Sequence, residues 1–240
     1  MHSSDKDTGE NMIGIVGATD FEMKELLEVI EVKEKKEIGG FTFYEGIFAG
    51  KDIVASKCGI GKVFASTCCQ TMLLNYNVFS IVNIGAAGAL IPELKKGDVV
   101  LVDETVQYDM DTTAFGDPLG LISGINIVGF QCVMHPLLGM LLDDRNIKWK
   151  IGNDATADRF CTDADTKKML VDKFACMSVD MEAAAIAQVC YINNKPFESI
   201  KIISDSANDD STEDYNEFTG TVGERVVEIL ALRMMAEARK

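Results

Sequence analysis

The stretch CMSVDMEAAAIAQV, residues 176–189, joins two periodicities: a short apolar run of strand type, then an alanine-rich helix. At the junction stand two acids, Asp180 and Glu182, with Met181 between them. An ionised carboxylate in apolar surroundings costs several kcal/mol unless it is paired or hydrogen-bonded. These acids therefore either cap the helix or face something that brings hydroxyl or amine donors.

The same strand-to-helix unit recurs outward from this junction. MIGIVGA (12–18) is a continuous buried-strand run, and helical spacing follows it at Phe21, Leu26, Leu27 and Ile30. From residue 37, alternation around Phe41 and Phe43 with glycines at 39, 40, 46 and 50 predicts antiparallel strands and turns. VFASTCCQTMLLNY reads as a helix, VFSIVNIGAAGAL as a second buried strand running into a Gly/Ala-rich bend, and GDVVLVDETVQYDMD as a third strand. HPLLGMLLDDRN predicts a helix with Pro136 in its first turn, PFESIKIISDSA a further strand, and the last segment a closing amphipathic helix. Strands alternating with helices point to one α/β domain with a mixed sheet over 12–240, preceded by a flexible polar leader at 1–11.

Composition narrows the function classes. The chain has 240 residues, 47% of them hydrophobic, which suffices for a substantial core. A formal charge of −15 disfavours binding to nucleic acid or an anionic membrane through a basic face. No stretch approaches the ~20 apolar residues of a membrane span, and a cytoplasmic protein is expected. Seven cysteines in apolar context, without a CxxC pair and with only two histidines, read as reduced core thiols, so no metal is expected. GIVGATDFE lacks the G-x-G-x-x-G of a dinucleotide loop, and the acidic run 205–214 lacks the calcium-loop pattern; no cofactor is expected either.

Three acids each lie just past a predicted strand: Glu22, Glu182 and Asp205. If their strands share a parallel core, the carboxylates meet at one rim, where α/β sheets bind ligands. Gly85 and Gly88 would let backbone approach a ligand there. Each acid also has a purely structural reading: Glu22 and Glu182 as first-turn helix acids, Asp205 as a turn cap. Spacing alone does not identify the chemistry.

Several segments in order carry a resemblance: IGIVGATDFEM, SKCGIGKVFA, NIGAAGAL, GDVVLVDE, YDMDTTAFG, ADRF, VDMEAAAIAQVC and ISDSAN. Together they resemble the bacterial 5′-methylthioadenosine/S-adenosylhomocysteine nucleosidases of the nucleoside phosphorylase superfamily, from Met12 to the final helix. The resemblance implies a three-layer α/β/α fold around a twisted mixed sheet, and a hydrolase acting on 5′-substituted adenosines. It implies Glu22 as the general base that activates water and Asp205 as the acid that protonates the purine. Glu182 would grip the ribose hydroxyls, Met181 pack under the sugar, Phe160 stack on adenine and the Cys161 backbone bond the base. Thr19, Ile60, Ala86, Gly88, Ser204, Ala207 and Tyr215 match other pocket positions, and Asp180 is carried with the substrate-binding set although it sits one pleat from Glu182. Phe115 matches a residue lent to the neighbouring subunit's 5′ pocket, which implies a homodimer.

The sequence departs from the family pattern at four places. Ala86 stands where a hydroxyl residue is usual, Ala89 for a frequent glycine, Lys201 for an arginine and Thr19 for a methionine. Phosphorylases of this fold place an arginine where the chain has Asn83, so water is the expected nucleophile. Two alternatives stay open at this point: a phosphate-dependent nucleoside phosphorylase, distinguished by dependence on phosphate, and a nucleoside-binding protein without turnover. Methylthioadenosine, S-adenosylhomocysteine, 5′-deoxyadenosine and 6-amino-6-deoxyfutalosine all remain as substrates.

Overall fold

The computed structural model describes residues 12–208 and 211–237, the side chains of 211–221 excepted. The leader expected at 1–11 lies outside the described residues. In chain order the elements are β1 (Met12–Gly17), α1 (Asp20–Val29), β2 (Glu31–Ile38), β3 (Phe41–Phe48), β4 (Lys51–Lys57), α2 (Lys62–Asn75) and β5 (Val78–Ala89). They continue as β6 (Val99–Gln107), a 3₁₀ turn (Thr113–Phe115), β7 (Gly129–Gln131), α3 (Leu138–Asp144), β8 (Trp149–Thr156), α4 (Ala164–Phe174), β9 (Cys176–Asp180), α5 (Ala183–Ile192), β10 (Phe197–Asp205) and α6 (Ser211–Glu237).

β1 lies between β4 and β5, parallel to both, which is why its run is apolar throughout rather than alternating. Its two faces feed different clusters. Ile13 and Ile15 pack with Met23 and Leu26 of α1, Leu138 and Leu142 of α3, and Val226, Ile229 and Leu230 of α6. Val16 packs with Cys68, Cys69 and Met72 of α2 and Ala183, Ile186 and Cys190 of α5 on the opposite side. The expected helix, mixed-sheet, helix layering follows from that division.

β2, β3 and β4 form an antiparallel meander at one edge. The α1 helix ends at Val29, earlier than its sequence pattern suggested, because EVKEKKEI (31–38) is not helix but the outermost strand. Seven of its eight residues are exposed, and its alternating lysines and glutamates guard the open edge against pairing with another chain. α3 is also shorter than expected: Pro136 precedes it rather than sitting in its first turn.

At the other end the sheet closes. β5 pairs β10, β10 pairs β6, β6 pairs β8, β8 pairs β9, and β9 returns to β5. Polar side chains bond to each other in its interior, and one pair joins β10 and β9, which are not neighbours in the ring. Lys201 of β10 donates to Asp180 of β9 (2.6 Å) and to Asn83 of β5 (2.7 Å), Thr156 of β8 to Asp180 (2.5 Å), and Ser178 of β9 to Asp154 of β8 (2.5 Å).

The closure corrects one expectation. β1, β5 and β10 are parallel, but β9 is antiparallel to β5. The acids converge nonetheless, because β5 and β9 pair only at their carboxyl ends, Gly88 with Val179 and Ala89 with Ser178. That pairing puts the exit of β9 at the rim where β1, β5 and β10 also end.

Candidate functional site

A cavity of about 400 Å³ opens at this rim, within the size range of small-molecule sites. Glu22, Glu182 and Asp205 all line it, with Thr19, Ile60, Ala86, Gly88, Phe160, Cys161, Asp180, Met181 and Ser204. Arg159, Ala18, Ala87 and Val179 complete the wall.

Glu22 is buried in the first turn of α1 and held by backbone alone. Its Oε2 accepts from the amides of Ala18 (2.7 Å) and Thr19 (2.8 Å), and its Oε1 from the Ala86 amide (2.8 Å). The Thr19 bond is a helix-capping contact, so the structural reading of this acid is partly right. The bond from β5 is not part of any cap and fixes the carboxylate across the rim. A Cβ on Gly85 would stand 2.4 Å from Glu22 Oε1, so Gly85 makes room for this acid rather than for a ligand. Ala86 contributes its amide where a hydroxyl was expected. The Thr19 hydroxyl is buried without a hydrogen-bond partner among the described residues.

Glu182 stands at the N-terminus of α5 and accepts from the Gly61 amide through Oε1 (2.8 Å). Gly61 holds φ of 99°, which a residue with a side chain rarely adopts, and this turns its N–H toward the acid. Burial first, then the charges of Asp180 and Glu22, push Glu182 up to about 8. One bonded oxygen and a raised pKa describe a carboxylate still short of donors.

Asp180 differs. Burial works against its charge, but the Lys201 ammonium and the bonds from Lys201, Thr156 and the Ala183 amide outweigh it and hold the carboxyl below its usual range. Both of its oxygens are engaged by the protein. Asp180 thus anchors α5 and balances Lys201, although it also lines the cavity. Burial and Asp180 together hold the neighbouring Asp154 well above the usual carboxylate range.

Asp205 ends β10 with its Oδ1 accepting from the Ala207 amide (2.8 Å) and its Oδ2 from the Ser204 hydroxyl (2.8 Å). Ser204 and Ala207, expected at the substrate, are placed by the structure against this acid, and Ala207 is off the cavity wall. Phe160 (40% exposed) and Ile60 (56% exposed) present apolar surface at the mouth. Phe115 is 88% exposed on its 3₁₀ turn and does not line the chain's own cavity. The side chain of Tyr215 lies outside the described residues.

The motif reading passed over Gly61 and Ala18, which act through backbone amides and leave little trace in residue type. Among the described residues no cluster of His, Cys, Asp and Glu could hold a metal ion, and no helix is long and apolar enough to cross a membrane.

Comparison with known proteins agrees with this geometry. The family model described as the phosphorylase superfamily matches residues 12–234. A 5′-methylthioadenosine/S-adenosylhomocysteine nucleosidase from Tolumonas auensis is 37% identical over 216 residues, covering 86% of this chain and 91% of that one. Among solved structures, a Helicobacter pylori nucleosidase (MTAN) mutant with 5′-methylthioadenosine in its active site superposes with a TM-score of 0.89 at 28% identity, covering 96% and 100% of the two chains. A futalosine hydrolase from the same species superposes with a TM-score of 0.88 at 28% identity, covering 94% and 98%.

Proposed function

This chain belongs to the phosphorylase superfamily and, within it, to the 5′-methylthioadenosine/S-adenosylhomocysteine nucleosidases, and from that premise we propose how its carboxylates divide the work. The enzyme hydrolyses the N-glycosidic bond of these two nucleosides, releasing adenine and the 5′-thioribose product. The observation that carries the residue roles is the meeting of Glu22, Glu182 and Asp205 in one cavity.

A carboxylate has about four acceptor positions. Three on Glu22 are filled by amides, which leaves one to orient a single water. In the reaction the C1′–N9 bond breaks, water oxygen bonds to C1′, and a water proton passes to Glu22. Asp205 gives its proton to N7, so adenine leaves neutral. Each such positioned acid or base contributes ~10²–10⁴-fold. Glu182 takes hydrogen bonds from the ribose hydroxyls, which supply the donors it lacks, each worth about 1.5–3 kcal/mol to a charged acceptor. Met181 and Phe160 pack on sugar and base, and the Cys161 backbone bonds adenine.

Water rather than phosphate is the nucleophile because Glu22 keeps an acceptor for it in the cavity and the chain carries Asn83 where phosphorylases of this fold place an arginine. Asn83 is buried and bonded to Lys201 and Val16, away from the wall. The exposed Phe115 completes the 5′ pocket of a second copy, making the working unit a homodimer. All seven cysteines are buried and free of disulfides, which supports a cytoplasmic enzyme. The test is adenine release from methylthioadenosine with and without phosphate, repeated with Asp205→Asn and Glu22→Gln. Release independent of phosphate and lost in both variants supports the assignment; release that requires phosphate overturns it.

A further inference from the structure

Lys167 lies outside the cavity wall, in the first turns of α4, yet its ammonium reaches the ends of two of the strands that build the site. Its Nζ donates to the carbonyl of Ala89, the last residue of β5, at 2.9 Å. It also donates to the carbonyl of Ser206, the residue after Asp205, at 2.5 Å. One cation therefore ties α4 to the Gly/Ala-rich bend and to the turn whose Ala207 amide holds Asp205. Both partners are neutral carbonyls, and among the described residues the ammonium makes no direct ion pair.

We propose that Lys167 is a positioning residue for Asp205, fixing the turn that orients this acid and stabilising the carboxylate it becomes when its proton leaves. The inference rests on Asp205 being the general acid. A fixed cation that needs no reorganisation acts only as negative charge develops, which is the condition for lowering a barrier rather than tightening binding. Burial lowers the Lys167 ammonium below the ordinary lysine range, while the neighbouring Cys161 thiol and Asp205 work to raise it. Of the other charges in this corner, Arg159 pairs with Asp163 at 2.8 Å, and Asp163 caps α4, so neither compensates Lys167.

The test compares two leaving groups on the same preparation: methylthioadenosine, whose adenine must be protonated, and the 4-nitrophenyl riboside of the same 5-methylthio sugar, whose nitrophenolate leaves without a proton. For Lys167→Met we expect kcat/KM to fall roughly 10- to 100-fold with methylthioadenosine, a part of what a positioned acid supplies, and to hold with the nitrophenyl substrate. Lys167→Arg, which keeps the charge, should regain most of the loss. The ratio of the two rates does not depend on how much of the variant is folded. Equal loss on both substrates, or none on either, overturns the inference. Asp205→Asn separates the two claims: if it shows the leaving-group selectivity and Lys167→Met does not, the role of Lys167 fails alone. If Asp205→Asn shows none, the general-acid assignment falls and the inference with it.

Discussion

Gly85→Ala is the most informative single perturbation, because it adds one methyl group beside the proposed base without changing any ionisable residue. The new Cβ would stand 2.4 Å from Glu22 Oε1 and 2.9 Å from its Cδ, where ordinary contact begins at 3.4 Å. The carboxylate must retreat by about 1 Å, which stretches its 2.8 Å bond from the Ala86 amide past the limit of a hydrogen bond. Losing a hydrogen bond to a charged acceptor costs about 1.5–3 kcal/mol, or roughly 3–12 °C of melting temperature at this chain length. A base misplaced by ~1 Å costs on the order of 10²-fold in rate. The substitution should therefore lower kcat for adenine release about 100-fold, with KM little changed, because Glu182 and Phe160 are untouched. Steady-state kinetics with methylthioadenosine, beside a thermal melt, measures both quantities. A Gly85→Ala enzyme within about twofold of the parent kcat would refute the claim that the backbone of β5 positions Glu22.

Four further outcomes follow from the same geometry. The folded, ligand-free enzyme holds a proton on Glu182 up to about pH 8, whereas the unfolded chain releases it near the ordinary glutamate value of ~4.3. Between those values the folded state binds more protons, so this residue makes stability fall as pH rises, and Glu182→Gln should flatten the fall in melts taken across the window. Ribose hydroxyls favour the charged form, so binding of a nucleoside analogue at pH 7 should release a proton, read by calorimetry in buffers of different ionisation enthalpy. Lys201→Met leaves Asp180 buried without its counterion and should cost about 3–5 kcal/mol in urea unfolding, much of it recovered in the double variant with Asp180→Asn; equal stability of single and double variants contradicts that pairing. Phe115→Ala should change stability by less than about 0.5 kcal/mol yet raise KM for substrates with bulky 5′ groups, and an unchanged KM argues against its place in a partner's pocket.

The elements legible in the sequence are those whose burial is apolar. β1 and β5 read as near-continuous hydrophobic runs, β10 reads from Phe197, Ile200, Ile202 and Ile203 although Glu198 and Lys201 are buried among them, and α5 reads from its alanines. β2 was invisible because it is an exposed edge strand of charged residues with no apolar face. β8 was missed for the opposite reason: its buried positions include Asp154 and Thr156, which face the polar interior of the closed ring and resemble a loop in a hydrophobicity pattern. Without β8 the ring closure could not be foreseen, and so the antiparallel entry of β9 was not either. The three converging acids were legible from their position after strands. What holds them was not, since the Gly61, Ala86 and Ala18 amides carry no side-chain signature. Asp180 shows the limit of the pattern: it shares the junction with Glu182, yet its oxygens are committed to Lys201, Thr156 and α5.

The central claim is that water held by Glu22 attacks the sugar while Asp205 protonates the departing base. It is tested most directly by a turnover of methylthioadenosine in ¹⁸O-labelled water containing millimolar phosphate, with mass analysis of the sugar product. The account predicts one ¹⁸O at C1 of free 5-methylthioribose at unchanged rate, and no such product from Asp205→Asn. A 5-methylthioribose 1-phosphate product, or label incorporation that survives both Glu22→Gln and Asp205→Asn, would contradict it.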